Sequence, residues 1–121
     1  MKKQQVRTRK GRYDRQLIAE NWKQEKLTSS KVLVAGIGAL GSVVASNLAA
    51  LGIGEMVLVD FDTVEMSNLN RQFLFREQAI GKPKVNVASK YLKTLNPDVK
   101  IIVHNDDIRS VSRDVYSSCS V

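Results

Sequence analysis

One short run of residues constrains this chain more than any other: Gly36-Ile37-Gly38-Ala39-Leu40-Gly41, set between an apolar segment and a helical pattern. Before it, Lys31-Val32-Leu33-Val34-Ala35 is short, β-branched and apolar, which predicts a strand buried on both faces of a parallel sheet. After it, Leu40, Val43, Val44, Leu48 and Leu51 share one helix face, and Gly52 supplies a C-terminal stop. Met56-Val57-Leu58-Val59-Asp60 then reads as a second buried strand ending in an acid, nineteen residues past Gly41. Three glycines alone are a weak signal. Between a strand and a helix, with an acid closing the next strand, they form a dinucleotide-type fingerprint. Gly36 permits the turn, Gly38 lets the backbone approach a phosphate, and Gly41 lets the helix pack close to the strand. The helix N-terminus offers free N–H groups and a positive dipole end to an anion. Asp60 is placed to accept from ribose hydroxyls. The bland alternatives are glycines that serve packing alone and an Asp60 that caps a strand.

The rest of the pattern extends the same architecture. Tyr13, Leu17, Ile18 and Trp22 fall at helical spacing, predicting an amphipathic helix over 12–26 broken at Thr28-Ser29-Ser30. Pro83 suits the first turn of a helix whose apolar face carries Val85, Ala88, Tyr91, Leu92 and Leu95. Asn96-Pro97-Asp98 ends it, and residues 99–103 form a third strand. Residues 105–121 are polar and carry no clear period. The prediction is an α/β chain: a Rossmann-like parallel sheet, a βαβαβ half with strand order 3-2-1, preceded by an N-terminal helix.

Charge narrows the partners. The formal net charge of +7 is concentrated: residues 1–15 hold seven basic groups against one acid, whereas the remainder is nearly balanced. Residues 1–11 therefore read as a flexible basic arm and 12–121 as a neutral globular body, with no aromatic or groove-reading motif to favour nucleic acid. The apolar runs are too short to cross a bilayer, and no apolar stretch follows the basic start as a secretory signal requires. The single cysteine, Cys119, excludes an internal disulfide and a cysteine-based zinc site. The expected location is cytoplasmic.

Which nucleotide is bound depends on residues beyond Asp60. Ser67-Asn68-Leu69-Asn70-Arg71-Gln72 and Gly81-Lys82-Pro83-Lys84 add cations and amides that hydride transfer does not need. A reaction that builds charge on several phosphates does need them. Arg12-Tyr13-Asp14-Arg15-Gln16, the glycine run, Leu58-Val59-Asp60-Phe61-Asp62-Thr63-Val64 and these two segments occur in one order. Together they resemble the adenylation domain of the superfamily of ThiF, MoeB and the ubiquitin-activating enzymes, from about Arg12 to about Ile108.

The resemblance implies an enzyme that uses ATP with magnesium to adenylate the C-terminal carboxylate of a ubiquitin-like or sulfur-carrier protein. It implies a homo- or heterodimer. Gly36, Gly38, Gly41, Asp60 and Asn68 would hold the nucleotide. Arg71 and Lys84 would contact its phosphates, and Arg15 would reach the nucleotide of a neighbouring subunit. Without the ordered motifs, Arg71 and Lys84 read as solvated surface charges. Lys82 is assigned to the surface, Asp62 to a turn or a supporting role, Tyr13 and Trp22 to packing, and His104 and Cys119 to no role. The family pattern continues with a magnesium-holding acid after a fourth strand and, in many members, zinc-binding cysteine pairs; neither occurs here. The 121 residues thus read as the first part of a larger nucleotide-binding domain, or as a subunit completed by a partner, with strand 32–35 left as an open edge. Two alternatives stand beside adenylation: a non-catalytic scaffold subunit of a heterodimeric activating enzyme, and an NAD(P)-dependent oxidoreductase.

Overall fold

Short runs of β-branched residues that cannot face water on either side must stack as neighbours in a covered sheet, and they do. In the computed structural model, which describes residues 11–121, three five-residue strands pair in parallel in the order β1 (Lys31–Ala35), β2 (Glu55–Val59), β3 (Lys100–His104). The register sets Val32 beside Met56 and Ile101, and Val34 beside Leu58 and Val103. Helix α2 (Ala39–Leu51) links β1 to β2, and α3 (Lys84–Leu95) precedes β3. The expected basic arm at 1–11 lies, save for Gly11, outside the described residues.

The central strand is buried on both sides. Val34, Met56 and Leu58 pack with Ala45, Ala49, Val85, Ala88 and Leu92 of the two long helices. The opposite face, Val57 and Val59, is covered by Ile108, Val111, Val115 and Cys119. That cover is the stretch whose sequence showed no period. It folds as a 3-10 turn at Ile108–Ser110 followed by the short helix α4 (Arg113–Ser117). Isolated apolar residues suffice there, because a turn and a five-residue helix need only touch the sheet at a few points.

One expectation is corrected. The helix over 12–26 is not continuous: residues 11–15 form a turn, Gln16–Ile18 a 3-10 turn, and α1 spans only Gln24–Thr28. Hydrogen bonds to a neighbour outweigh the local period. Gln16 Nε2 and Gln24 Nε2 both donate to the Leu51 carbonyl, at 2.8 and 2.9 Å. They satisfy an orphan acceptor at the end of α2 that would otherwise lack a partner. Tyr13 is buried, and its hydroxyl accepts from Asn96 Nδ2 at 2.8 Å, while Asn96 also donates to Ala49 O at 2.8 Å. Leu17 and Ile18, counted in the apolar stripe, stay exposed.

The side of α2 against the sheet is not its large apolar face. Its buried residues are the small ones, Ser42, Ala45 and Ala49, because the helix lies close against the sheet. The large apolar face is the outer one. Leu40 is 79% exposed and Val44 41%, and together with Leu48 they wall a groove of about 860 Å³ whose other side is Val32, Val34 and Ile53. β1 is at the edge of the sheet, as expected. Its outer backbone is met by Ser120, whose N–H donates to Lys31 O at 2.7 Å, and by Val121 O, which accepts from Leu33 N at 2.9 Å. Among the described residues no helix is long and apolar enough to cross a membrane.

Candidate nucleotide site

The glycine loop is built from the end of β1 outward. Gly36 takes φ +93°, a region closed to most side chains, and its N–H donates to Val59 O at 2.7 Å, pinning the turn to the central strand. Ile37 is fully buried and anchors the loop in the core. Gly38 is the N-cap of α2, with no side chain capping the helix and no acid in the first turn. The positive end of a thirteen-residue helix is therefore open to a ligand. Gly41 is required sterically: a Cβ there would sit 1.8 Å from Gly36 O.

Asp60 is tied to this loop. Its Oδ2 accepts from Ile37 N at 2.7 Å and its Oδ1 from Asp62 N at 2.8 Å. The carboxylate thus organises the turn, and each oxygen keeps lone-pair capacity for a hydroxyl. Asp62 continues the chain of contacts. Its carbonyl accepts from Lys84 N at 3.0 Å and its Oδ2 lies 3.7 Å from Lys84 Nζ. An antiparallel bridge between Thr63 and Pro83 fixes the same approach. Ile37, Asp60, Asp62 and Lys84 are consequently linked by consecutive bonds at the C-terminal ends of the strands, where open α/β sheets take their ligands.

Lys84 sits in an unfavourable place for a cation. It is 5% exposed and is the first residue of α3, at the positive end of that helix. One ion pair at 3.7 Å, to a carboxylate that is itself largely exposed, is its compensation. Burial and the helix dipole both act against the charge, so an incoming anion would relieve a standing cost. The alternative of a solvated surface lysine does not hold.

The other expected site residues are distributed unevenly. Asn68 is buried, and its Oδ1 accepts from Glu65 N at 2.8 Å in a reciprocal cap of the 3-10 turn Met66–Asn68. Its carbonyl is structural, which leaves the amide N–H groups for a ligand. Arg71 is exposed and folds back onto Ser67 O at 2.8 Å and Asn70 Oδ1 at 3.0 Å. Arg15 is not at this site. It lies between Tyr13 and Gln16, which pack at the C-terminal end of α2, and the helix length alone sets about 18 Å between its ends. Asp62, two residues beyond Asp60, takes a supporting role by bridging to Lys84. Gln72 closes the run Ser67–Gln72, is 4% exposed, and approaches Gly38.

A ThiF family model matches residues 13–120, nearly the whole described chain. The chain belongs to the ThiF family. Among curated relatives, it is 49% identical over 100 residues to the adenylyltransferase and sulfurtransferase uba4 of Aspergillus niger, covering 80% of this chain and 21% of that protein. It is 43% identical over 93 residues to the molybdopterin-synthase adenylyltransferase of Escherichia coli, covering 74% of this chain and 37% of the relative. Among solved structures it resembles Escherichia coli tRNA N6-threonylcarbamoyladenosine dehydratase in complex with ATP. There the TM-score is 0.68 at 32% identity, over 70% of this chain and 35% of that one. This ThiF-family chain therefore spans well under half the length of each of these relatives.

Proposed function

We propose that this chain is the ATP-binding part of an enzyme that adenylates the C-terminal carboxylate of a ubiquitin-like or sulfur-carrier protein. The observation that carries the reading is the bonded path from the glycine loop through Asp60 and Asp62 to the buried Lys84. It assembles an uncapped helix end, a ribose-type acid and a stored cation in one place. Adenine nucleotide chemistry fits that donor set: hydroxyls for Asp60, phosphates for the loop and for Lys84. Residues 12–121 would act as the N-terminal part of the nucleotide-binding domain, in the cytoplasm.

The reaction joins a carboxylate oxygen to the α-phosphorus and breaks the bond to pyrophosphate. Negative charge moves onto the leaving oxygens. Backbone N–H groups at 38–41 and the Lys84 ammonium are fixed before the charge develops, so they stabilise it without reorganising. Arg71 would leave its two local acceptors to add a planar fork to the phosphates. Arg15, remote from its own loop, would serve a second subunit in a dimer. Magnesium would arrive on the nucleotide phosphates; among the described residues no group of three or more His, Cys, Asp or Glu stands ready to hold it.

Calorimetric titration with ATP and NADH side by side tests the nucleotide. ATP should bind at least tenfold tighter, and a preference for NADH overturns the reading in favour of an oxidoreductase. Pyrophosphate exchange in the presence of a carrier protein separates adenylation from a scaffold role, which would bind ATP without exchange.

A further inference from the structure

We propose that the groove between the 3-10 turn Glu77–Ala79 and the first half of α3 is a docking site for an acidic protein segment, one that sets an apolar side chain between carboxylates. The groove is separate from the glycine loop, and the proposal does not rest on the ATP reading.

The groove holds about 360 Å³, inside the range of about 300–1,000 Å³ that ligand sites occupy. Its floor is apolar. Leu74 and Ala79 come from the segment before the helix, and Pro83 and Val87 from the N-cap and first turn of α3. Val87 and Lys90 follow Pro83 at helical spacing, so one face of α3 makes the second wall. The rim is basic. Arg76 stands on the side of the turn, Lys82 at the entry to the helix and Lys90 farther along it, all three exposed. No acid lines the groove; Glu77, in the same turn, is outside its lining.

Charge and shape together select the occupant. Lys31, Lys84, Lys100 and Arg109 each lie within 4.0 Å of a carboxylate. Arg76, Lys82 and Lys90 have no such partner among the described residues. Residues 74–90 carry Arg76, Lys82, Lys84 and Lys90 against Glu77 alone, in a body whose charge is otherwise nearly balanced. Arg76 is also held still: its Nη1 donates to Phe73 O at 2.6 Å and to Phe75 O at 2.9 Å. Its Nε and Nη2 are left for a carboxylate, with the side chain already ordered. An apolar side chain flanked by acids fills the floor while the acids meet the rim, and Gln78 and Asn86 offer neutral partners to its backbone. A nucleic-acid strand would answer the charge but not the floor, because no aromatic side chain lines the groove for a base to stack on.

The test uses the 121-residue chain and the double variant Lys82→Glu/Lys90→Glu, at exposed positions with no ion pair to lose. The probes are fluorescein-labelled: a short peptide alternating glutamate and leucine, its counterpart with lysine for glutamate, an all-glutamate peptide and oligouridylate. Fluorescence polarisation at low salt reads the affinities. The glutamate–leucine peptide should bind at least about tenfold tighter than the other probes and weaken as salt is added. Its NMR shift changes on the wild-type chain should fall on residues 74–90. The double variant should lose at least about tenfold, while saturating ATP should leave peptide affinity within about twofold. Absence of binding by the wild-type chain overturns the proposal. So does undiminished binding by the double variant, with shift changes outside 74–90, which would move the peptide to another surface such as the basic residues 2–10. Oligouridylate binding as tightly would make the groove a nucleic-acid surface, all-glutamate binding as tightly would remove the role of the floor, and displacement by ATP would place the peptide at the glycine loop; each of these also overturns it.

Discussion

Replacing Gly41 by Ala sets two effects against each other, and the structure decides between them. Alanine in a helix is favoured over glycine by about 1 kcal/mol, so propensity alone predicts a gain. The new Cβ, however, would fall 1.8 Å from Gly36 O and 2.9 Å from Gly36 C. A relaxed carbon–oxygen contact is about 3.3 Å, so roughly 1.5 Å must be opened between loop and helix. Both contacts are backbone, and no rotamer change relieves them. Opening the gap strains the Gly36–Val59 and Ile37–Asp60 hydrogen bonds, each 2.7 Å long. Their loss costs about 1 kcal/mol for the first and about 2 kcal/mol for the charge-assisted second, and forced overpacking adds about 1–3 kcal/mol. Net of the helix gain, the variant should be destabilised by about 3–5 kcal/mol. For a domain of this size that lowers the thermal midpoint by about 12–25 °C, read by circular dichroism. Two companions calibrate the result. Gly36→Ala meets no atom within 4 Å but inherits φ +93°, a strain of about 1–2 kcal/mol. Gly38→Ala has an extended backbone and an ordinary 3.8 Å contact, and should cost under about 1 kcal/mol. A Gly41→Ala midpoint within about 3 °C of wild type, or a Gly38→Ala loss exceeding it, would refute the reasoning.

Lys84→Met removes a buried cation from the positive end of α3, so stability should be unchanged or up to about 1 kcal/mol higher in urea denaturation, while ATP affinity falls at least about tenfold. A large stability loss would mean that the Asp62 pair holds the fold together. Leu40→Gln should change stability by under about 0.5 kcal/mol, whereas Ile37→Ala should cost about 3–4 kcal/mol, because the former is on the groove rim and the latter is fully buried. The two values would exchange places if the apolar face read from the helical period were the one packed on the sheet. Asp107 accepts from the Arg109 side chain and backbone, and these bonds hold its pKa at about 2, below its usual value of 3.8. Its contribution to stability is therefore present above pH 3.8 and lost as pH falls through about 2. An NMR carboxylate titration should show that midpoint returning toward 3.8 in Arg109→Ala, and an unmoved midpoint would contradict the assignment.

How legible the site was in the sequence differs residue by residue. Gly36, Gly41 and Asp60 were readable because their functions are backbone functions: a positive φ, a close helix approach, and acceptance of a loop N–H. Each has one dominant solution, so residue type and spacing carry it. Only the resemblance carried by the ordered motifs marks Lys84 as a candidate phosphate contact. Its burial at a helix N-terminus depends on the Thr63–Pro83 bridge, which no local pattern encodes. The bridge from Asp62 to Lys84 joins residues more than twenty positions apart, a relation that no local pattern carries.

By itself the sequence determined the strands, the crossovers, their parallel order and the glycine loop, since continuous apolar runs and turn chemistry act over a few residues and tolerate few competitors. Tertiary structure decided which face of α2 is buried. Close helix–sheet approach selects Ser42, Ala45 and Ala49 over the larger Leu40 and Val44, whatever the helical period suggests. It also decided that residues 12–26 break into turns, because the orphan carbonyl at Leu51 and the buried Asn96 make better partners for Gln16, Gln24 and Tyr13 than a solitary helix would. Local propensity differs by tenths of a kcal/mol per residue, and a satisfied buried hydrogen bond by about one, so where the two conflict the long-range contact prevails.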